Sequence, residues 1–187
     1  MNRILICDDE QTIRVELKSL LKKLQFDEII EGSDGDAAVS LALKWSPDIA
    51  ILDISMPKKD GISAAAEIRK RSRIPIIFLT AARDPDILRR AVKTGVAAVL
   101  TKPLRPDELW PAIELAFAHN EEIERLQQEV EALKETIESR KVIEKAKGVL
   151  MKKQGLNEPE AFRRMQKLAM DKRKSLRQIA DAILLME

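Results

Sequence analysis

The sequence has almost no cysteine, histidine or aromatic side chains. Cys7 is the single cysteine, so no disulfide can form within the chain. His119 is the single histidine, which excludes a site built from several histidines and argues against histidine-dependent acid–base catalysis. No apolar run reaches transmembrane length, and the first one is too short for a signal peptide. We therefore expect a cytoplasmic protein that does not enter a membrane.

Glycine and proline are absent from Ala112 to Lys147, which predicts one long helix. An apolar stripe within it has alternating spacings of three and four residues: Ile123, Leu126, Val130, Leu133 and Ile137. This spacing is typical of a coiled coil between two chains. The alternative is one amphipathic helix that packs on its own chain. A stripe of two residues in seven is narrow for that packing, so the pattern favours a homodimer.

Charge is distributed unevenly along the chain, although the net charge is only +2. Residues 139–187 contain 13 Lys and Arg against 6 Asp and Glu, and the remainder has an acidic excess. An acidic region attracts a cation, and a basic region attracts a polyanion. The sequence thus predicts a cation site in the longer part and a polyanion-binding surface in the shorter part.

Four apolar, strand-like runs end in polar residues. The first ends at Asp8 and Asp9, the second at Asp53, the third at Thr80 and the fourth at Lys102. Strands of this kind alternate with helical segments, which predicts an α/β fold with a doubly wound parallel sheet. In such sheets, ligands bind beyond the carboxyl ends of the strands. We expect these five side chains to meet at one edge.

Together, these side chains suggest phosphoryl chemistry. Three neighbouring carboxylates repel one another unless a cation compensates them, and oxygen ligands of this kind suit Mg²⁺. Asp53 would be the nucleophile that takes the phosphoryl group. Thr80 and Lys102 would contact the transferred phosphoryl oxygens. For any one of these residues, a role as an ordinary turn or cap residue is the alternative, but four strand ends in this order favour a site.

The motifs Asp8-Asp9-Glu10, Asp53 with Met56-Pro57 and Asp60-Gly61, Thr80-Ala81 and Lys102-Pro103 resemble the receiver domain of two-component response regulators. This resemblance implies a flavodoxin-like five-stranded sheet in the order 2-1-3-4-5. It also implies phosphorylation of Asp53 by a histidine kinase. Asp9 and Asp53 would ligate Mg²⁺, Asp8 would assist through water, and the Ser55 carbonyl would complete the site. The Lys102–Pro103 peptide bond is expected to be cis.

The sequence departs from the receiver pattern at one position. The family has a switch aromatic three residues before the lysine, and Val99 stands there. Coupling through the rotamer of a tyrosine or phenylalanine is therefore not available to this chain. A shift of Thr80 remains available.

The basic C-terminal segment is predicted to form a three-helix bundle. Its first helix continues the long helix and ends at Gly155. Asn157 with Glu160, and Ser175 with Gln178, have the spacing of capping boxes that begin two further helices. The patterns Ala146-Lys147-Gly148, Ala161-Phe162 and Ala169-Met170 resemble the ANTAR domain of antitermination regulators. That resemblance implies binding to paired RNA stem-loops in nascent leader transcripts.

Charge and spacing nominate four RNA-contacting residues: Arg140, Lys145, Lys147 and Lys152. Phe162 is expected in the apolar core, so stacking of bases on aromatic side chains is not expected. Binding would instead depend on phosphate contacts and RNA shape. Gly148 in mid-helix implies the close approach of another helix or of an RNA backbone.

The predicted organisation is a receiver domain at residues 1–120, a coiled-coil linker at 121–139 and an ANTAR domain at 140–187. Two other function classes fit parts of this sequence. An aspartate-nucleophile phosphatase generally has a second aspartate two residues after the nucleophile, where Ser55 stands, so we expect a regulator and not an enzyme. A DNA-binding response regulator could use the last two helices, although Leu184, Leu185 and Met186 are expected in the core.

Overall fold

The computed structural model describes residues 3–81 and 85–185. The chain divides into two compact units, Met1–Glu124 and Arg125–Glu187. The strands are β1 Arg3–Cys7, β2 Glu28–Gly32, β3 Ile49–Asp53, β4 Ile76–Thr80 and β5 Ala98–Thr101. The helices are α1 Gln11–Lys23, α2 Gly35–Trp45, α3 Gly61–Arg69, α4 Pro85–Lys93, α5 Pro106–Gln154, α6 Glu158–Lys172 and α7 Leu176–Leu184.

The five strands form one parallel sheet in the order β2-β1-β3-β4-β5, which confirms the predicted fold class. β3 lies in the centre, and each of its five residues is buried. A strand covered on both faces needs apolar residues throughout, and this explains the continuous run from Ile49 to Leu52. The sheet thereby places the end of β3, Asp53, between the ends of β1 and β4.

Helices cover both faces of the sheet, and each layer has its own apolar core. On one face, α2, α3 and α4 pack against alternate strand residues such as Leu52 and Phe78. On the other, α1 and the start of α5 pack against Ile51 and Ile77. The period-two alternation of strand side chains sends neighbouring residues into opposite cores. Cys7 is buried in the first core, and burial raises the pKa of its thiol to about 12, as expected of an inert core cysteine.

The turn after β3 depends on Asp60 and Gly61. The side chain of Asp60 caps α3 by accepting the backbone N–H of Ser63 at 2.6 Å. A Cβ atom at residue 61 would lie 2.0 Å from the carbonyl oxygen of Asp53, so only glycine fits. Gly61, at the start of α3, therefore packs directly against the backbone of Asp53.

The second unit is a three-helix bundle built from the end of α5, α6 and α7. Its core contains Ala146, Leu150, Met165 and Ile179. Both predicted capping boxes are present and begin α6 and α7. α5 ends before Gly155, whose φ of +65° is readily adopted only by glycine.

Two core predictions in the bundle are wrong. Phe162 is only half-buried and lies outside the apolar core, because its ring faces the ammonium group of Lys147 at 5.9 Å. Leu185 is 88% exposed, because α7 ends one residue before it. The predicted core position of Met186 lies outside the described residues.

Across the described ranges, the helices include none that is both long enough and apolar enough to span a membrane.

Replacing Gly148 with alanine should stabilise the bundle by about 1 kcal/mol, since glycine is that much less favourable than alanine inside a helix. An added Cβ atom would meet nothing within 4 Å. The measurement is the free energy of unfolding from urea titration, followed by circular dichroism. Ala132→Gly, at an exposed position of the same helix, is the matched control and should lower it similarly. A destabilised Gly148→Ala variant would contradict this expectation.

Candidate functional site

The strand ends bring the predicted acidic residues together. Asp8 and Asp53 are 0% and 3% exposed, whereas Asp9 is exposed. Carboxylate oxygens of these three residues all lie within 4.8 Å of one another. The parallel register produces this arrangement, because β1, β3 and β4 end side by side. The predicted carboxylate cluster is thus present at the carboxyl edge of the sheet.

Lys102 lies in the middle of this cluster. Its Nζ is 2.7 Å from Asp8 Oδ2, 3.2 Å from Asp53 Oδ1 and 3.4 Å from Glu10 Oε1. Only a tenth of its side chain is exposed. Burial lowers the pKa of Lys102, but the contacts with Asp8 and Asp53 together outweigh this effect, so the pKa is raised overall. The peptide bond from Lys102 to Pro103 is cis, as expected. The lysine partly neutralises a cluster that would otherwise be strongly anionic.

Thr80 is fully buried at the end of β4. Its carbonyl oxygen accepts the backbone N–H of Lys102 at 2.8 Å, which ties the two residues together at the edge of the sheet. The register pairs Thr80 with Thr101, the residue before the lysine. The hydroxyl and ammonium residues predicted to contact a phosphoryl group are therefore neighbours.

The carboxylate of Asp53 is held from two sides. Oδ1 faces Lys102, and Oδ2 accepts the backbone N–H of Ser55 at 2.9 Å. Burial raises the pKa of Asp53, and the charge of Asp8 adds to this effect, while Lys102 and the Ser55 N–H oppose it. The ionised form of Asp53 is thus less favourable in the folded protein than in water.

The raised pKa of Asp53 leads to an expected pH dependence of stability. The unfolded chain loses this proton near pH 4, and the folded chain loses it at higher pH. Since the folded state binds more protons in that window, stability falls as pH rises through it and stays lowered above it. Asp53→Asn cannot ionise and should therefore unfold at a higher temperature than the wild type at pH 7 in the absence of Mg²⁺.

Thermal unfolding of the two proteins from pH 4 to pH 8 measures this difference. We expect the gap in Tm to close as the pH approaches 4, where both side chains are neutral. Added Mg²⁺ should raise the Tm of the wild type more than that of Asp53→Asn. A variant less stable than the wild type at pH 7 would contradict the assigned direction.

The donor set fits Mg²⁺. Asp8, Asp9 and Asp53 supply hard oxygen ligands, which this ion prefers, and Lys102 compensates only part of their charge. Neither cysteine nor histidine belongs to the cluster, so softer metals gain little there. The backbone of Ser55 lies beside Asp53, and its carbonyl oxygen remains a predicted ligand.

The sequence reading missed Arg14, which organises the acidic turn. Its Nη1 donates to the carbonyl oxygen of Asp8 at 2.7 Å and to that of Asp9 at 3.3 Å. These contacts hold the turn through its backbone carbonyl oxygens and do not occupy the carboxylates of Asp8 and Asp9. A cation one turn into α1 was the available signal. An arginine on a helix is most often a solvated surface residue, so its position alone does not distinguish Arg14.

Val99 occupies the position of the expected switch aromatic. It pairs with Phe78 in the sheet register and packs, partly buried, against the core beneath α4. A valine has no large ring to move between buried and exposed positions. Any change that follows phosphorylation must use other groups, such as Thr80.

In the bundle, the four nominated RNA contacts do not share one face of α5. Residues seven apart on an α-helix point in nearly the same direction, whereas residues five apart differ by about 140°. Arg140 and Lys147 therefore lie on one side, and Lys145 and Lys152 on another. Lys145 and Lys152 are both exposed. Of the other two residues, Arg140 is exposed but Lys147 is buried.

The structure places Lys147 in the joint between α5 and α6. Its Nζ is 2.7 Å from Glu144 Oε1 and 2.8 Å from Glu158 Oε1, and these carboxylates raise the pKa of Lys147. Its ammonium group also faces the Phe162 ring. With its charge satisfied by two glutamates, Lys147 is well placed to fix the angle between the two helices.

Four of the five residues in the apolar stripe of α5 are exposed, and only Ile123 is partly buried. Exposed fractions are 46% for Leu126, 50% for Val130, 57% for Leu133 and 54% for Ile137. A stripe of large aliphatic side chains left in water at coiled-coil spacing favours burial against a second chain. His119, earlier on the helix, is exposed, as a surface histidine would be.

Comparisons with known proteins agree with both parts of the chain. Residues 4–114 match the response regulator receiver domain, and residues 131–184 match the ANTAR domain. The transcriptional regulatory protein PdtaR of Mycobacterium tuberculosis is 42% identical over 182 residues, which cover 97% of this chain and 89% of that protein. The transcriptional regulatory protein DegU of Brevibacillus brevis is 31% identical over 115 residues, 60% of this chain and 49% of that protein.

Solved structures resemble the sheet-containing unit. A response regulator receiver domain protein from Clostridium thermocellum superposes with a TM-score of 0.60 at 30% identity, covering 66% of this chain and 99% of that one. The receiver domain of the response regulator NarL from Mycobacterium tuberculosis gives 0.56 at 28% identity, covering 61% and 94%. The solved structures cover the part of the chain with the acidic cluster, whereas the similarity to PdtaR extends over 97% of the chain and so includes the long helix and the basic bundle. The chain belongs to the response regulators that join a receiver domain to an ANTAR domain.

Proposed function

We propose that Asp53 accepts a phosphoryl group from a histidine kinase and that this modification controls RNA binding by the bundle. The supporting observation is the Asp53 carboxylate, which is buried, held by Lys102 and the Ser55 N–H, and surrounded by further carboxylates. A buried carboxylate with a raised pKa in such a cluster is costly for folding alone, so a functional use is favoured.

In the transfer, one carboxylate oxygen of Asp53 forms a bond to phosphorus as the bond from phosphorus to the kinase histidine breaks. The departing imidazole nitrogen keeps the electron pair of that bond. Lys102 provides positive charge beside the new phosphoryl oxygens, and Thr80 can donate its hydroxyl to one of them. The backbone N–H of Ser55 orients the carboxylate for attack.

Mg²⁺ would be held by Asp8, Asp9, Asp53 and the Ser55 carbonyl, and it would neutralise charge on the phosphoryl oxygens. Lys102 pairs with Asp8 as well as with Asp53, so a phosphoryl group at Asp53 competes with existing contacts of the lysine. Lys102 follows β5 and Asp8 follows β1, so a change in the contact between them would shift the turns after both strands. Because Val99 replaces the aromatic switch, these turns and Thr80 carry the change.

The output of the switch is a homodimer joined through the exposed stripe of α5. Phosphorylation would favour this dimer, and the dimer presents two basic bundles to one RNA. Two linked binding sites raise the effective concentration at the second site, which suits a target with two stem-loops. Arg140, Lys145 and Lys152 are the proposed phosphate contacts, while Lys147 shapes the bundle from its paired position.

The RNA target is proposed to be paired stem-loops in nascent leader transcripts, whose binding prevents terminator formation. Such transcripts are made in the cytoplasm, where we place the protein. The partner with the clearest support is RNA, because residues 131–184 match a family of antitermination regulators.

Duplex DNA is the competing partner. A helix-turn-helix reader would use α7, but that helix has only nine residues and buries Ile179 and Ala180 in the bundle core. A competition experiment at fixed salt separates the two partners, with labelled stem-loop RNA displaced by unlabelled RNA or by duplex DNA of equal length. Displacement by RNA at far lower concentration supports antitermination. Equal displacement by both would contradict it.

A further inference from the structure

A small apolar notch with a basic rim lies between the three helices of the bundle, and none of the four nominated residues lines it. Its volume is about 240 Å³. Its walls come from all three helices: Val149, Leu150, Lys153, Gln154, Arg164, Leu168 and Ile183.

The walls of the notch are apolar although it opens to solvent. Val149, Leu168 and Ile183 are each only partly buried, so they retain apolar surface inside it. Residual apolar surface in a concave site favours an apolar or planar ligand. The volume lies below the range of about 300–1,000 Å³ that is typical of sites for drug-sized ligands, so a single flat ring system suits it better than a larger molecule.

The rim of the notch is cationic. Lys153 and Arg164 line its mouth, and Arg164 also lines an adjoining hollow with Arg163 and Lys167. The one acidic residue of that hollow, Glu160, uses its carboxylate to accept the backbone N–H of Asn157 in the capping box of α6. A planar apolar group with phosphates on either side matches this distribution of charge.

We propose that the notch receives one unpaired nucleobase from the loop of an RNA stem-loop, and this rests on the proposed RNA-binding function. Bases inside a duplex are stacked and unavailable, whereas loop bases can be splayed out. The notch has no aromatic wall, but the guanidinium of Arg164 at its mouth can lie flat against a base. Arg163 and Lys167 then meet the flanking phosphates, while Lys145 and Lys152 contact the stem.

The arrangement explains how a bundle without a platform of aromatic side chains can distinguish loops from stems. Phosphate contacts alone carry no sequence or loop information. A notch that admits one base gives preference to RNAs that present an unpaired base at one position. Duplex DNA and perfectly paired RNA gain nothing from it.

The test uses full-length protein, treated with beryllofluoride and Mg²⁺, and a tandem stem-loop RNA selected from a library with randomised loops. Each loop position of the selected RNA is replaced in turn by an abasic residue. We expect one position per loop at which the replacement weakens binding about tenfold or more, as for loss of one good base contact. Val149→Trp fills the notch, so it should bind the intact RNA about tenfold more weakly and lose nothing further on abasic replacement.

Arg164→Gln and Lys174→Gln form a second pair of variants that leave the apolar core intact. Each removes one positive charge from an exposed position, and Lys174 lies in the α6–α7 connection, outside the notch. Arg164→Gln should reduce the abasic penalty, whereas Lys174→Gln should keep it in full. If abasic replacement weakens RNA binding equally in all variants, the proposal that the notch receives a base is wrong, but the proposed RNA binding is unaffected. Failure of the selection to enrich any RNA overturns both.

Discussion

Replacing Asp53 with asparagine should abolish phosphoryl incorporation, even though the variant is expected to fold more stably at neutral pH. The amide lacks the anionic oxygen that forms the bond to phosphorus. We do not expect Asp8 to replace it, because Asp8 is fully buried and both of its carboxylate oxygens are engaged, Oδ2 by Lys102 and Oδ1 by the backbone N–H of Glu10. Intact-mass spectrometry after incubation with acetyl phosphate and Mg²⁺ measures incorporation directly, and the expected result is the background level.

Asp27→Asn is the matched control for this experiment. It makes the same chemical change at an exposed carboxylate outside the cluster, so it should be phosphorylated as readily as the wild type. Phosphoryl incorporation at the wild-type level in Asp53→Asn would show that another side chain is the acceptor. Loss of phosphoryl incorporation in both variants would indicate that it depends on the overall charge of the protein and not on Asp53 specifically.

The second large effect is expected from placing charge on the exposed stripe of α5. Leu126→Lys combined with Leu133→Lys puts two ammonium groups into the proposed dimer seam of each chain. Burying one leucine contributes about 1.5–3 kcal/mol, so removing four per dimer costs about 6 kcal/mol or more before any charge repulsion. That loss corresponds to a dimer dissociation constant raised more than about 10⁴-fold. The variant should be monomeric by analytical ultracentrifugation at micromolar concentration.

Loss of the dimer should also weaken RNA binding. A monomer offers one bundle, so the gain from linking two sites, about 10²-fold or more, disappears. The control, Gln128→Lys with Ala132→Lys, adds two positive charges on the opposite side of the same helix. It should remain dimeric and bind RNA at least as tightly as the wild type. If the Leu126→Lys/Leu133→Lys protein remains dimeric, the stripe of α5 is not the dimer interface.

Local patterns in the sequence were the best guides to the structure. The capping boxes at Asn157 and Ser175 involve residues three positions apart, so no distant contact is needed to form them. The carboxylate cluster is not local, yet it follows from parallel strands whose carboxyl ends share one edge. Asp8, Asp53, Thr80 and Lys102 met there because each directly follows or ends an apolar run.

Contacts between helices were not accessible in the same way. The salt bridge from Lys147 to Glu158 depends on the angle at which α6 leaves α5, which no periodicity encodes. That bridge draws Lys147 to the helix joint and leaves Phe162 half-buried, where the sequence had suggested a core ring. The different directions of Arg140 and Lys145 could have been found from their spacing, since five residues do not return to the same helix face.

The notch of the bundle lay wholly beyond sequence reasoning. Val149, Leu168 and Ile183 each fit the apolar pattern of their own helix, and that pattern predicts a filled core. Only the packing of three helices shows that these side chains leave a gap at the surface. Its rim joins Lys153 and Arg164, which belong to different helices and are eleven positions apart in sequence.

Phosphorylation of Asp53 is proposed to govern RNA binding by the bundle. The most direct test of this claim is a titration of labelled tandem stem-loop RNA with full-length protein in Mg²⁺, with and without beryllofluoride, for the wild type and for Asp53→Asn. We expect beryllofluoride to tighten RNA binding by the wild type about tenfold or more, because it favours the dimer, and to leave Asp53→Asn unchanged. Equal affinity of the wild type with and without beryllofluoride would contradict the claim.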